Sequence, residues 1–110
     1  MSNITQEKME RALGYLAETD RPFGELRARI DGLDYQIKVA EAQAYLDNVG
    51  QGTQEHIKAL ARTSDSYKNL VKEYVDTKLE YEVIAARRKT AELIIETWRS
   101  INANQRRGNI

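Results

Sequence analysis

The second half of the chain has an uninterrupted helical pattern of apolar and polar residues. Between Thr53 and Arg107 there is neither a glycine nor a proline, and apolar residues recur at helical spacing. This pattern predicts one helix from about residue 64 to about residue 104. At about 1.5 Å per residue, such a helix is on the order of 60 Å long. We therefore expect an elongated all-α molecule.

The first half predicts two further helices, over about residues 5–19 and 21–48. Asn3 or Thr5 can cap the first helix. A break is expected at Asp20 to Pro22, because proline lacks an N–H group and fits best in a first helical turn. Apolar residues of the second helix repeat as heptads, which is typical of coiled-coil packing; these residues are Phe23, Leu26, Ile30, Leu33, Ile37, Ala40 and Ala44.

The remaining segments connect or end these helices. Residues 49–53 form a loop in which Gly50 or Gly52 can adopt positive φ. Residues 105–110 form a tail. The pattern leaves open whether residues 56–62 belong to the long helix or form a separate turn. The predicted fold is a single-domain elongated helical hairpin with a third, shorter N-terminal helix and coiled-coil-like packing.

The long helix has two apolar stripes, and one antiparallel partner cannot cover both. We expect the N-terminal helix to lie over the C-terminal part of the long helix. The rest of the second stripe then requires another chain, which predicts a homo-oligomer, most simply a dimer. The residues assigned to the core or to this oligomer contact are Leu79, Val83, Ile94, Trp98 and Ile101.

Charge is distributed unevenly although the net charge is zero. Residues 87–110 contain six basic and two acidic residues. A basic end suggests contact with nucleic acid or with an acidic protein. Alternatively, cations collect at a helix C-terminus because they suit the helix dipole. The candidate contact residues are Arg87, Arg88, Lys89, Arg99, Arg106 and Arg107.

Tyr67, Tyr74 and Tyr81 recur at intervals of seven. Aromatic rings in line beside basic residues are typical of surfaces on which single-stranded nucleic acid stacks. Tyrosines at heptad spacing also occur as a packed stripe with hydrated hydroxyl groups. Both interpretations remain open from the sequence.

Catalytic and cofactor motifs are scarce in the sequence. There is no cysteine, and His56 is the only histidine. The sequence contains no spacing typical of a nucleophile–base pair, a metal site or a phosphate-binding loop. We therefore predict a protein that is not an enzyme and has no cofactor, no metal and no catalytic residue. The sequence also lacks an apolar run of about 20 residues and a signal-peptide core, so we expect a protein without membrane contact.

Three segments carry a resemblance to a known group of proteins. They are AELIIETWRSINANQRRGN at residues 91–109 and the opening segments ITQEK and ALGYLAETD. The chain resembles small uncharacterised helical proteins from tailed bacteriophages and prophages. The resemblance implies a protein of the host-cell cytoplasm with an accessory role near phage recombination genes, and it implies no activity.

Two functions are consistent with these features. The first is a non-enzymatic phage accessory protein of DNA recombination or replication, which binds DNA or a recombination protein through the basic end. The second is a structural coiled-coil adaptor or virion-associated protein, which acts only through protein–protein contacts along its apolar stripe.

Overall fold

The computed structural model describes residues 4–108, and every element in this range is helical. Helix α1 spans Gln6–Asp47, α2 spans Gln54–Arg62 and α3 spans Asp65–Gly108. The predicted all-α helical hairpin with one shorter helix is confirmed. The shorter helix is α2, in the connection between the two long helices.

The predicted break at Asp20 to Pro22 was wrong, because α1 continues through it with Pro22 inside the helix. The segments 5–19 and 21–48 are therefore one helix. A proline in a helix interior removes one backbone hydrogen bond and costs about 3 kcal/mol. Arg88 of α3 binds the turn that precedes Pro22, and these contacts from outside the helix stabilise this part of α1.

Side-chain caps define the helix ends. The hydroxyl oxygens of Thr5, Thr53 and Ser64 accept hydrogen bonds from backbone N–H groups at the starts of α1, α2 and α3. Ser64 also donates to the carbonyl of Ala61, near the end of α2. Residues 54–62 thus form a separate helix, which answers the question left open by the sequence. Asn3 lies outside the described residues.

The loop between α1 and α2 contains the two glycines identified from the sequence. Gly50 has φ 90° and Gly52 has φ 138°. These values are accessible to glycine at little cost because it has no Cβ atom. The chain therefore leaves α1 through backbone conformations that other residues rarely adopt.

The chain divides into two compact units. The first unit runs to Gly24 and resumes at Glu82, and the second is Glu25–Tyr81. In the first unit, the N-terminal part of α1 packs against the C-terminal part of α3 around a small buried core. That core consists of Ala12, Ala91 and Ile95, with Met9, Tyr15, Leu16 and Ile94 packed against it.

The second unit buries residues of all three helices. Its buried apolar residues are Ile30, Leu33, Ile57 and Ala61. Thr77 is also buried, and its hydroxyl donates to the carbonyl of Glu73 at 2.7 Å. Exposed ion pairs join Arg29 to Glu73 and Arg62 to Glu41. Exposed pairs contribute little to stability, so apolar burial is the main term that holds this unit together.

Some apolar side chains of α3 are left uncovered by this chain. In the first unit, Leu93 is 54 % exposed, and Val83 and Ile101 are also exposed. In the second unit, Leu79 is 66 % exposed. Ile94 and Trp98 are half-buried. The residues grouped from sequence as core or oligomer contacts thus have different environments within one chain.

Candidate anion-binding groove

A groove of about 400 Å³ lies between α1 and α3 in the first unit. Its apolar lining is formed by Ala12, Tyr15, Ala91 and Ile94. The lining residues recur at spacings of three and four on each helix, which places them on one face of that helix. Two helix faces that meet along the small core therefore also form the walls of the groove.

Three cations line the same groove. Lys8 and Arg11 come from α1, and Arg87 comes from α3, where Thr90 adds a hydroxyl group one turn further on. No acidic side chain is among the lining residues. Within the part of the chain that the structure describes, these three cations form no ion pair and no side-chain hydrogen bond. The groove therefore has uncompensated positive charge beside an apolar surface.

The first unit, which contains the groove, has a net positive charge, and the second unit has a net negative charge. The first unit carries nine basic and seven acidic residues, and the second carries eight basic and ten acidic residues. Because clefts lined by one sign of charge concentrate counter-ions, the groove is a suitable place for an anionic group.

Arg88 has a different role from its neighbour Arg87. Its guanidinium donates to the carbonyl of Leu16 at 3.0 Å, to the hydroxyl of Thr19 at 2.7 Å and to the carboxylate of Asp20 at 2.7 Å. The guanidinium also lies 5.1 Å from the centre of the Phe23 ring. With a side chain only 16 % exposed, Arg88 is bound within the fold instead of being presented to a partner. This separates Arg88 from the contact set predicted from the sequence.

The other predicted basic residues are dispersed along α3. Arg99 lines a second groove of about 240 Å³ together with Glu92 and Glu96, so its surroundings are of mixed charge. Lys89, Arg106 and Arg107 are exposed and line neither groove. Of the six predicted residues, only Arg87 therefore belongs to the groove with uncompensated charge.

The tyrosine stripe lies in the second unit. Tyr67, Tyr74 and Tyr81 are all half-buried. The hydroxyl of Tyr81 accepts a hydrogen bond of 3.0 Å from Arg27, which raises the pKa of Arg27. Arg27 and Lys78 both lie within 6 Å of the Tyr81 ring centre, at 5.9 and 5.6 Å. A base stacking on this ring would have to compete with two cations.

Sequence reasoning missed Lys8, Arg11 and Tyr15 as site residues. Lys8 and Arg11 are more than seventy residues away from Arg87 in the chain, so a count of charge along consecutive residues does not group them. The available signal was the expected packing of the N-terminal segment against the end of the long helix. Combined with helical spacing, that packing brings these side chains towards residues 87–94.

Residues 4–108, the part of the chain that the structure describes, contain no group of three or more histidine or acidic side chains arranged to hold a metal ion. None of the helices in this range combines the length and the apolar character that crossing a bilayer requires.

The fold and the groove describe a helical-hairpin protein with a surface suited to anionic partners. Comparison of the chain with family models, with curated proteins and with solved structures finds no match.

Proposed function

We propose that this chain is a non-enzymatic accessory protein that binds nucleic acid through the groove of its first unit. The observation that supports this proposal is the convergence of Lys8, Arg11 and Arg87 on one groove that no acidic residue lines. Contacts from lysine and arginine to phosphates supply most of the affinity of non-specific nucleic-acid binding. A polyanion therefore suits the groove better than a neutral or cationic ligand.

The biological setting in this proposal is phage DNA recombination or replication in the host-cell cytoplasm. It rests on the resemblance of residues 91–109 and of the opening segments to small phage and prophage proteins. A binding role also suits the chemistry of the groove, whose polar groups are three cations and the hydroxyls of Tyr15 and Thr90. Such groups hold phosphates and sugars well.

The proposal is tested by fluorescence anisotropy with labelled oligonucleotides over a series of salt concentrations. The test variant replaces Lys8, Arg11 and Arg87 with alanine. A matched control replaces three cations of the second unit, Lys58→Ala, Lys68→Ala and Lys72→Ala, so that both variants lose the same formal charge. Circular dichroism checks that both variants stay helical.

We expect the groove variant to bind the oligonucleotides more weakly, and its affinity to depend less steeply on salt concentration. Each phosphate contact to a single strand contributes about 0.7 to the slope of log K against log salt, so losing three contacts lowers the slope by about 2. The control should keep nearly the wild-type slope. An equal loss in both variants would mean that charge alone, and not the groove, determines binding.

A structural role through protein contacts is the second candidate, and the exposed Leu93, Val83 and Ile101 favour it. Apolar side chains on one helix suit a partner helix or a second copy of this chain. Sedimentation velocity measures self-association directly. A pull-down from infected cells separates the two candidates, because DNA-processing proteins support the first and capsid or tail proteins support the second.

A further inference from the structure

We infer that the groove takes single-stranded rather than duplex nucleic acid, with a base against Tyr15 and phosphates on the surrounding cations. This inference rests on the proposed function and specifies the ligand of the same site. It also assigns the stacking role to Tyr15, which the sequence pattern did not single out, and not to the stripe of Tyr67, Tyr74 and Tyr81.

The groove combines two kinds of surface that a single strand can use together. Its cations suit phosphates, and its lining of Ala12, Tyr15, Ala91 and Ile94 is apolar. A duplex keeps the faces of its bases stacked inside and presents phosphates outside, so it would leave this apolar lining uncovered. In a single strand the face of a base is free, and stacking on an aromatic ring does not depend on the base sequence.

Tyr15 is positioned to serve as the stacking ring. It packs against the core formed by Ala12, Ala91 and Ile95, which holds it in place while it lines the groove. Its hydroxyl has no hydrogen-bond partner among the described residues. Tyr81, by comparison, has its hydroxyl bonded to Arg27 and its ring next to two cations.

The cations stand on both helices that border the groove. Lys8 and Arg11 lie on α1, three residues apart and hence on neighbouring positions of one face, and Arg87 lies on α3. A nucleotide whose base enters the groove therefore has a cation available on either side for its flanking phosphates. A duplex contacted at its backbone would use these cations alone.

The experiment compares three probes at one low salt concentration: an oligothymidylate, an abasic strand with the same number of phosphates, and a duplex of the same length. The wild-type protein should bind the oligothymidylate on the order of tenfold more tightly than the abasic strand, as expected for one stacked base. Tyr15→Leu should remove this difference, whereas Tyr15→Phe should retain it. Tyr35→Leu is the matched control, since Tyr35 is an exposed tyrosine of α1 in the second unit.

The outcomes separate the inference from the function on which it rests. If the abasic strand or the duplex binds as tightly as the oligothymidylate, and binding still depends on Lys8, Arg11 and Arg87, the single-strand inference is wrong and the proposed function stands. If none of the three probes binds at low salt, the proposed function itself is wrong. The comparison of probes uses the wild-type protein, so it does not depend on the folding of any variant.

Discussion

Arg88→Met removes the guanidinium that holds α1 around its internal proline. Methionine keeps much of the aliphatic volume but cannot donate the hydrogen bonds to Leu16 and Thr19, at 3.0 and 2.7 Å. It also loses the contact with the Phe23 ring and the ion pair with Asp20. We expect a marked loss of stability, because the helix then carries the cost of Pro22 without this external support.

The magnitude follows from the environment of each contact. Hydrogen bonds from a charged donor contribute about 1.5 kcal/mol each at the lower end of their range, and the contact with the ring about 0.5–1 kcal/mol. The ion pair adds little because the Asp20 side chain is 68 % exposed and solvent screens it. The sum is a loss of about 3.5–4 kcal/mol.

Urea unfolding followed by far-UV circular dichroism measures this loss. With a slope of about 1–3 kcal/mol per molar urea, the midpoint should fall by about 1–4 M. Arg87→Met is the control, since Arg87 is exposed and should change stability by less than about 0.5 kcal/mol. Equal midpoints for the two variants would refute the assignment of Arg88 as the support of the proline turn.

Two further predictions concern backbone conformation and burial. Gly14→Ala should raise the free energy of unfolding by about 0.5–1 kcal/mol, and with it the melting temperature. The reason is that Gly14 lies in a helix and the added methyl group meets nothing within 4 Å. Gly50→Ala should instead cost about 1 kcal/mol, because φ is 90° there; a gain at Gly50 would contradict the loop geometry. Ile95→Ala should cost about 2–4 kcal/mol in urea unfolding, because Ile95 is buried. Leu93→Ala, at a largely exposed site, should cost far less, and similar losses at both positions would indicate that another chain covers Leu93.

The elements that the sequence predicted well depend on local chemistry. The absence of glycine and proline between Thr53 and Arg107 indicated the long helix, and α3 runs without interruption over Asp65–Gly108. The positive φ of Gly50 and Gly52 also depends only on neighbouring residues. Helix propensity, capping and turn conformation act over one or two turns, so a single sequence is enough to recognise them.

The break predicted at Pro22 was wrong because it considered only neighbouring residues in the sequence. Taken alone, Asp20 to Pro22 is a reasonable helix boundary. In the structure the helix continues, and a side chain from α3, distant in sequence, donates hydrogen bonds to the turn before the proline. The cost of a proline is a local property, but whether it is offset depends on tertiary contacts.

The groove depended on tertiary structure in the same way. Arg87 and Arg88 are adjacent, but consecutive residues of a helix point about 100° apart, so one lines the groove and the other enters the fold. Which of the two arginines lines the groove depends on where α1 lies against α3. The sequence by itself determined which segments are helical and that the end of the chain is basic. Only the packing of two helix faces decided which cations stand together, because their Coulomb interactions depend on distance in space and not on separation along the chain.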